Sequence, residues 1–173
     1  MATTYNLINS SVLSSSTSSV TFSSIPATYT DLVLKTSTRM DSGNTTAPYQ
    51  VRFNGVSTGS AYSNTGAYYS ASVATGFALA NDNGVRSGAN NTSGTGATAD
   101  SFGFGEFYIP NYAGASNKQI EHSTASENNG VTNLGQGASQ FRNTSAITSI
   151  TIVGTNDNFV SGSSFYLYGI SNA

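Results

Sequence analysis

At 173 residues the chain has the length of one domain, residues 1–173, and surface scaling has such a chain bury about two-thirds of its unfolded surface. Only 8% of its residues are charged, against about 25% in an average domain, and the six cations (Lys35, Arg39, Arg52, Arg86, Lys118 and Arg142) stand singly within a net charge of −2. No basic patch can neutralise a run of phosphates, so nucleic acid is not an expected partner, and the absence of cysteine excludes disulfides and thiolate metal sites.

Leu7-Ile8 and Val12-Leu13 are short apolar pairs ahead of a polar run, Ser14–Ser19, which reads as a loop. Val20 and Phe22 alternate with Thr21 and Ser23, the period of a strand, and Pro26, lacking an N–H for the ladder, ends it. From Leu32 to Met40 the alternation resumes: Leu32, Leu34 and Met40 share one face, and Lys35, Ser37 and Arg39 form a charged face expected to point outward. Val51 and Phe53 repeat the pattern ahead of Asn54-Gly55, a strong turn signal.

Between Gly59 and Asn83 the tyrosines, Val73, Phe77 and Leu79 sit among small residues, and strands are expected over 67–72 and 74–80. Residues 81–100 hold almost no large apolar side chain and read as an exposed, mobile loop, either functional or ordered by a partner. Phe102–Ile109 is a strand with Phe102, Phe104 and Tyr108 on one side; Gly103 and Gly105 lie opposite, where another part of the backbone comes close or a bulge sits. Strands over 118–125 and 138–142 follow. The runs Ile147–Gly154 and Ser163–Ile170 have the clearest period two, and the Gly-, Asn- and Asp-rich loop between them suggests an antiparallel hairpin of central strands. Nine or ten short strands with no helical period define an all-β chain, an antiparallel β-sandwich with the jelly roll as the expected topology.

Catalytic chemistry finds little footing in these residues. The single histidine, His122, stands beside Glu121 on an expected strand, so the two side chains leave on opposite faces, and a surface or inter-subunit position is expected for the histidine. Glu106, Glu121, Glu127 and Asp100 show no spacing that selects a carboxylate pair for glycoside hydrolysis. Asn81-Asp-Asn-Gly84 and Asn156-Asp-Asn158 resemble pieces of calcium loops but lack the downstream acid, and they read as turns, so no metal or cofactor is expected. The N-terminus has neither the basic segment nor the apolar run of a signal peptide, and no stretch is long and apolar enough for a membrane helix, so neither export by that route nor a membrane is expected. What remains is a binding composition: Tyr among Ser, Gly and Asn gives broad contact area with adaptable hydrogen bonding. Tyr62, Tyr68 and Tyr69, with Asn90 and Asn91 of the 81–100 loop, are the candidate interaction surface, although tyrosines filling ordinary strand positions would give the same pattern.

Three segments carry a family resemblance: Tyr29-Thr-Asp-Leu-Val-Leu34 with Arg39; Phe107-Tyr-Ile-Pro-Asn-Tyr-Ala113; and Ala146-Ile-Thr-Ser-Ile150 followed by Asn158-Phe159 and Phe165-Tyr-Leu-Tyr-Gly-Ile170. They resemble a family of virion structural proteins of tailed bacteriophages, common in phages of cyanobacteria and other aquatic bacteria, from about residue 18 onward. Where relatives often carry Trp, this chain has Phe141, which keeps an aromatic residue in place. The resemblance implies a non-enzymatic sandwich exposed on the virion and assembled in the host cytoplasm. The first expectation is a capsid decoration (cement) protein, a homo-oligomer, as a trimer, bound to partners such as the major capsid protein. The alternative is a receptor-binding part of the tail fibre or baseplate that touches host surface glycans, with a glycan-cleaving enzyme a third class.

Overall fold

A computed structural model describes residues 4–70, 72–86, 92–129 and 131–171. Among them are thirteen strands and no helix: β1 Tyr5–Val12, β2 Ser19–Phe22, β3 Asp31–Thr38, β4 Thr46–Ala47, β5 Tyr49–Phe53, β6 Tyr62–Ser70, β7 Val73–Asp82, β8 Thr92–Ser93, β9 Gly103–Pro110, β10 Lys118–Asn128, β11 Val131–Phe141, β12 Ile150–Gly154 and β13 Ser164–Ile170. Eight form one sheet in the order β1-β13-β3-β9-β10-β11-β6-β7, three form a second in the order β2-β12-β5, and β4 and β8 make a short ladder of their own. Every ladder is antiparallel. The architecture is therefore an antiparallel β-sandwich of unequal layers, as the alternating runs predict.

Alternation decides which side of each strand enters the core. The large sheet contributes Leu32, Leu34, Tyr62, Phe107, Ile109, Ile120, Phe141, Phe165 and Leu167, and the small sheet contributes Val20, Phe22, Tyr49, Val51, Phe53, Ile150 and Ile152. Each large apolar side chain so buried stabilises the fold by about 1.5–3 kcal/mol before chain entropy is counted. Aromatic edges meet faces at the centre: the Phe159 ring lies 5.8 Å from Tyr49 and 5.1 Å from Phe165, both T-shaped, the geometry that ring quadrupoles favour. Asn54 (φ 53°) and Gly55 (φ 68°) take the left-handed conformation at the turn after β5, closed by Val56 N–H donating to Phe53 O at 2.9 Å.

Several elements differ from the sequence expectation. The runs ending the chain are both interior strands but not a hairpin: β12 lies between β2 and β5, and β13 between β1 and β3, so the 155–163 connection crosses from one layer to the other. Period two reports that a strand has a buried face, not which strand lies beside it. Strand β1 forms where only apolar pairs were legible, and β10 continues to Asn128 and β11 starts already at Val131, a long antiparallel pair whose Ser, Asn and Gly content hid it. Arg39 does not extend the outward face of Lys35 and Ser37. It follows the end of β3 and is buried, its guanidinium donating to the carbonyls of Thr98 (2.7 Å), Ser101 (3.0 Å), Ala97 (3.3 Å) and Thr95 (3.4 Å).

That clamp also corrects the reading of 81–100 as an exposed loop where its residues are described, 81–86 and 92–100, which mix buried and exposed positions. Val85, Thr92 and Ser93 are buried, β8 pairs with β4, and Gly94 and Gly96 lie against the backbone of residues 43–44 too closely for any side chain. Gly94 and Gly96 serve close approach rather than freedom.

The close backbone expected at Gly103 and Gly105 is present at Gly103, where a methyl group would stand 2.8 Å from Thr92 Cα, whereas Gly105 is closed in by side chains. A methyl group at Gly105 would strike the Tyr49 hydroxyl and stand 2.6 Å from Thr36 Oγ1, and those two groups hydrogen-bond at 2.9 Å in the core. Gly105→Ala is therefore expected to lower stability by about 1–3 kcal/mol, as overpacking does, measured as a fall in the urea midpoint with an unchanged m-value.

Candidate interaction surface

Strand register sets out the outer face of the large sheet row by row. One row runs Val12–Ser164–Ser37–Phe104–Ala125–Leu134–Tyr69–Ala74 across all eight strands. Four of its members are large and exposed: Val12 at 64%, Tyr69 at 51%, Phe104 at 45% and Leu134 at 39%. The next rows, Ser10–Tyr166–Lys35–Glu106–Ser123–Gln136–Ala67 and Leu7–Tyr168–Val33–Tyr108–Glu121–Ala138–Thr65, are polar or small along β10, β11 and β6 and carry aromatic and apolar residues toward β1, where Leu7 is exposed. Beyond them, Ser63, Gln119 and Gln140 line a shallow open depression of about 250 Å³ together with Thr65, Ala138 and Ser139. A second one of about 140 Å³ is lined by Ala67, Tyr69, Leu134 and Gln136. This is a broad face carrying aromatic and amide groups with little charge, its one ion pair being Lys35 Nζ to Glu106 Oε2 at 3.0 Å.

The tyrosines proposed from sequence do not act together. Tyr62 belongs to the core: it is fully buried, stacked on Phe141 at 4.9 Å, and its hydroxyl accepts from Phe53 N–H at 2.9 Å and donates to Val56 O at 3.1 Å. Burial pushes its phenol up to about 12, so it stays neutral and is not a surface contact. Alternation along β6 puts Tyr68 and Tyr69 on opposite faces; Tyr68 is half-buried beside Phe77, with ring centroids 6.4 Å apart, and only Tyr69 joins the exposed row. Asn90 and Asn91 lie outside the described residues. Phe104 and Leu134 were not singled out. The alternation of Phe104 with flanking glycines carried a signal, whereas Leu134, alone among Asn, Gly and Gln, carried none.

Behind this face the inner side of β10, β11, β6 and β7 is tied by a buried polar chain. Arg86 donates to both oxygens of Asp82, from Nε at 3.0 Å and from NH2 at 3.2 Å. Asp82 accepts from Asn64 Nδ2 at 2.9 Å, and Asn64 Oδ1 accepts from the Arg86 backbone N–H at 3.1 Å. Because that backbone group can only donate, the amide oxygen is fixed, and Ser139 must donate its proton to it at 2.6 Å. Ser139 Oγ is then the acceptor for His122 Nε2–H at 3.0 Å. Serine and histidine thus lie in hydrogen-bond contact with the proton already committed away from the ring, both are buried, and His122 Nδ1 has no partner. The tautomer is the reverse of one that would let the histidine take the serine's proton.

His122 is accordingly an interior residue beside Phe107, with rings 5.9 Å apart, and not a surface or inter-subunit one. Glu121 does leave on the opposite, exposed face, as alternation requires, where it is a diagonal neighbour of Glu106. No group of three or more His, Asp or Glu side chains able to hold a metal occurs among the described residues. In the two Asp/Asn turns, Asp82 is occupied as above and Asn158 donates to Asp41 at 2.8 and 2.9 Å, bonds that hold the Asp41 carboxyl below its ordinary range.

Two of the cations are committed inward, whereas Lys35 pairs with Glu106 on the outer face and Arg142 is exposed. Besides Arg39, Lys118 is buried and its ammonium donates to Gly114, Ser116, Asn143 and Thr144 carbonyls, with burial pulling its pKa below the ordinary value. Arg142 donates to Tyr62 and Ala80 carbonyls, and Arg52 to Gln50 Oε1 at 2.9 Å. No family model, curated protein or solved structure matches this chain.

Burial holds the His122 pKa down to about 4, against about 6.5 in an unfolded chain. Between those values the unfolded chain binds more protons, so the histidine's contribution is complete above about pH 6.5, falls as pH drops, and levels off below about 4, a loss of about 3 kcal/mol. As the chain has a single histidine, its ring resonance should titrate near 4, and His122→Gln should flatten this part of the stability profile. A midpoint at about 6 or above would contradict the buried placement.

Proposed function

We propose that the chain is a non-enzymatic structural protein of a tailed-phage virion, a decoration protein that lays the outer face of its large sheet on the head surface and works as a homo-oligomer. The observation that carries this reading is that eight-stranded face: wide, with Val12, Phe104, Leu134 and Tyr69 exposed in one row and amides, hydroxyls and a single ion pair beside them. Such a face suits a partner met by shape and hydrogen bonds, such as a major capsid protein. It does not suit a phosphate backbone, because two of the six cations are buried on carbonyls and two more are paired with carboxylates.

The segments that carry the family resemblance are largely core: Leu32, Leu34, Phe107, Ile109, Tyr112, Ile147, Ile150, Phe159, Phe165 and Leu167 are all buried. The resemblance therefore speaks for a shared sandwich, and the surface has to speak for the partner. A receptor-binding role at the tail has one observation in its favour, the depression beside Tyr69 with Gln136 at its wall, where an aromatic ring and an amide could take a sugar.

The test is to locate the protein on intact particles by labelled electron microscopy and then wash them in about 1 M salt, where the Debye length falls to roughly 3 Å. Decoration predicts label over the head and retention through the wash, since few charges are available to screen. Label confined to the tail tip would establish the receptor-binding role instead, and complete release from the head by salt would remove the neutral-contact reading.

A further inference from the structure

The large sheet is open, and its two edges differ. Strand β1 is interrupted by a register shift between Leu7 and Asn9, a bulge of the kind that blunts an edge. Strand β7 runs in unbroken register with β6 from Val73 to Leu79 and, among the described residues, has no strand on its other side. No charged residue occurs between Arg52 and Asp82, and β7 contains no proline, so the usual protections of an exposed edge are missing. Its side chains are exposed or half-buried up to Asn81, with Val73 at 60% and Leu79 at 38%. A row of open backbone N–H and C=O groups about 24 Å long is what another β-strand satisfies.

We propose that β7 is a self-association site that pairs antiparallel with β7 of a second copy across a two-fold axis at Gly76, joining the two large sheets edge to edge. The argument for a second copy is the strand's self-complementarity. Centring the register on Gly76 places Val73 opposite Leu79 of the other copy, so the two exposed apolar side chains of the strand cover each other. Thr75 then meets Phe77 on the same face, and Ala74 meets Ala78 on the other, with Gly76 against Gly76 between them. No like charges are brought together, which is the usual obstacle to pairing identical strands.

The contact is isologous and closes at two copies. The three-fold form expected from the resemblance would need a heterologous contact, and among the described residues the only other free edge of this sheet is the bulged β1. One strand pair is a small interface, so association in the micromolar range is expected, reinforced where copies are concentrated on a surface. This inference is independent of what the outer face binds.

The experiment measures the mass of the full chain by sedimentation from about 1 to about 100 µM, for wild type and two double variants at exposed positions that leave the core untouched. Wild type should approach twice the monomer mass. Ala74→Lys with Ala78→Lys sets two like-charged pairs opposite each other and should weaken association at least about tenfold. Ala74→Lys with Ala78→Glu sets opposite charges across the same two pairs and should return to within about twofold of wild type. Far-ultraviolet circular dichroism checks that both variants keep their β-signal, and because they carry similar bulk the lysine–glutamate variant reports any cost to folding itself. A wild type monomeric throughout, a trimer, association unaffected by the two lysines, or lysine–glutamate as weak as lysine–lysine would each overturn the proposal.

Discussion

The hydrogen-bonded chain from Arg86 through Asp82, Asn64 and Ser139 to His122 holds together the half of the large sheet that the hydrophobic core cannot reach. On the inner side of β6, β10 and β11 the last fully buried large apolar residues are Tyr62, Ile120 and Phe141; beyond them come Asn64, Ser139, His122, glycines and the half-buried Tyr68. Apolar burial alone would end the sheet there. Each bond of the chain contributes only about 1 kcal/mol net, but a single removal strands a buried partner, which costs more, so the four strands are locked as a set. The large sheet can therefore outgrow the small one and present both a broad outer face and a long edge.

How much of this was legible in the sequence follows from what period two can report. It marked β2, β3, β5, β9, β12 and β13 because each alternates large apolar residues with polar ones, and it placed Leu32, Leu34 and Met40 on the buried side. It failed for β12 and β13 as neighbours, since registry with a partner depends on tertiary packing. It also failed where the buried side is polar or bare, as at Ser126 of β10 and at Asn133, Gly135 and Gly137 of β11. A Ser-, Gly- and Asn-rich stretch looks the same whether it is a solvated loop or a hydrogen-bonded ladder.

The site was legible only in part, for a related reason. Tyrosine composition pointed to the β6–β7 region, but alternation assigns neighbouring residues different surroundings, and Tyr62, Tyr68 and Tyr69 end in the core, a half-covered face and solvent respectively. The exposed row is assembled from residues far apart in sequence, Val12, Phe104, Leu134 and Tyr69, and becomes a surface only once strand order is known. Likewise, six scattered cations suggest solvated charges, while the fold uses Arg39 and Lys118 as internal donors.

Those two cations bind chiefly main-chain oxygens, Arg39 adding one long contact to Ser101 Oγ at 3.4 Å, and a carbonyl is present whatever residue bears it. The 95–101 segment held by Arg39 can therefore exchange most of its side chains without losing its anchor, the close-packed Gly96 being the exception. This part of the molecule can vary its chemistry freely over time while its path stays fixed, which makes it a natural place for the protein to diversify.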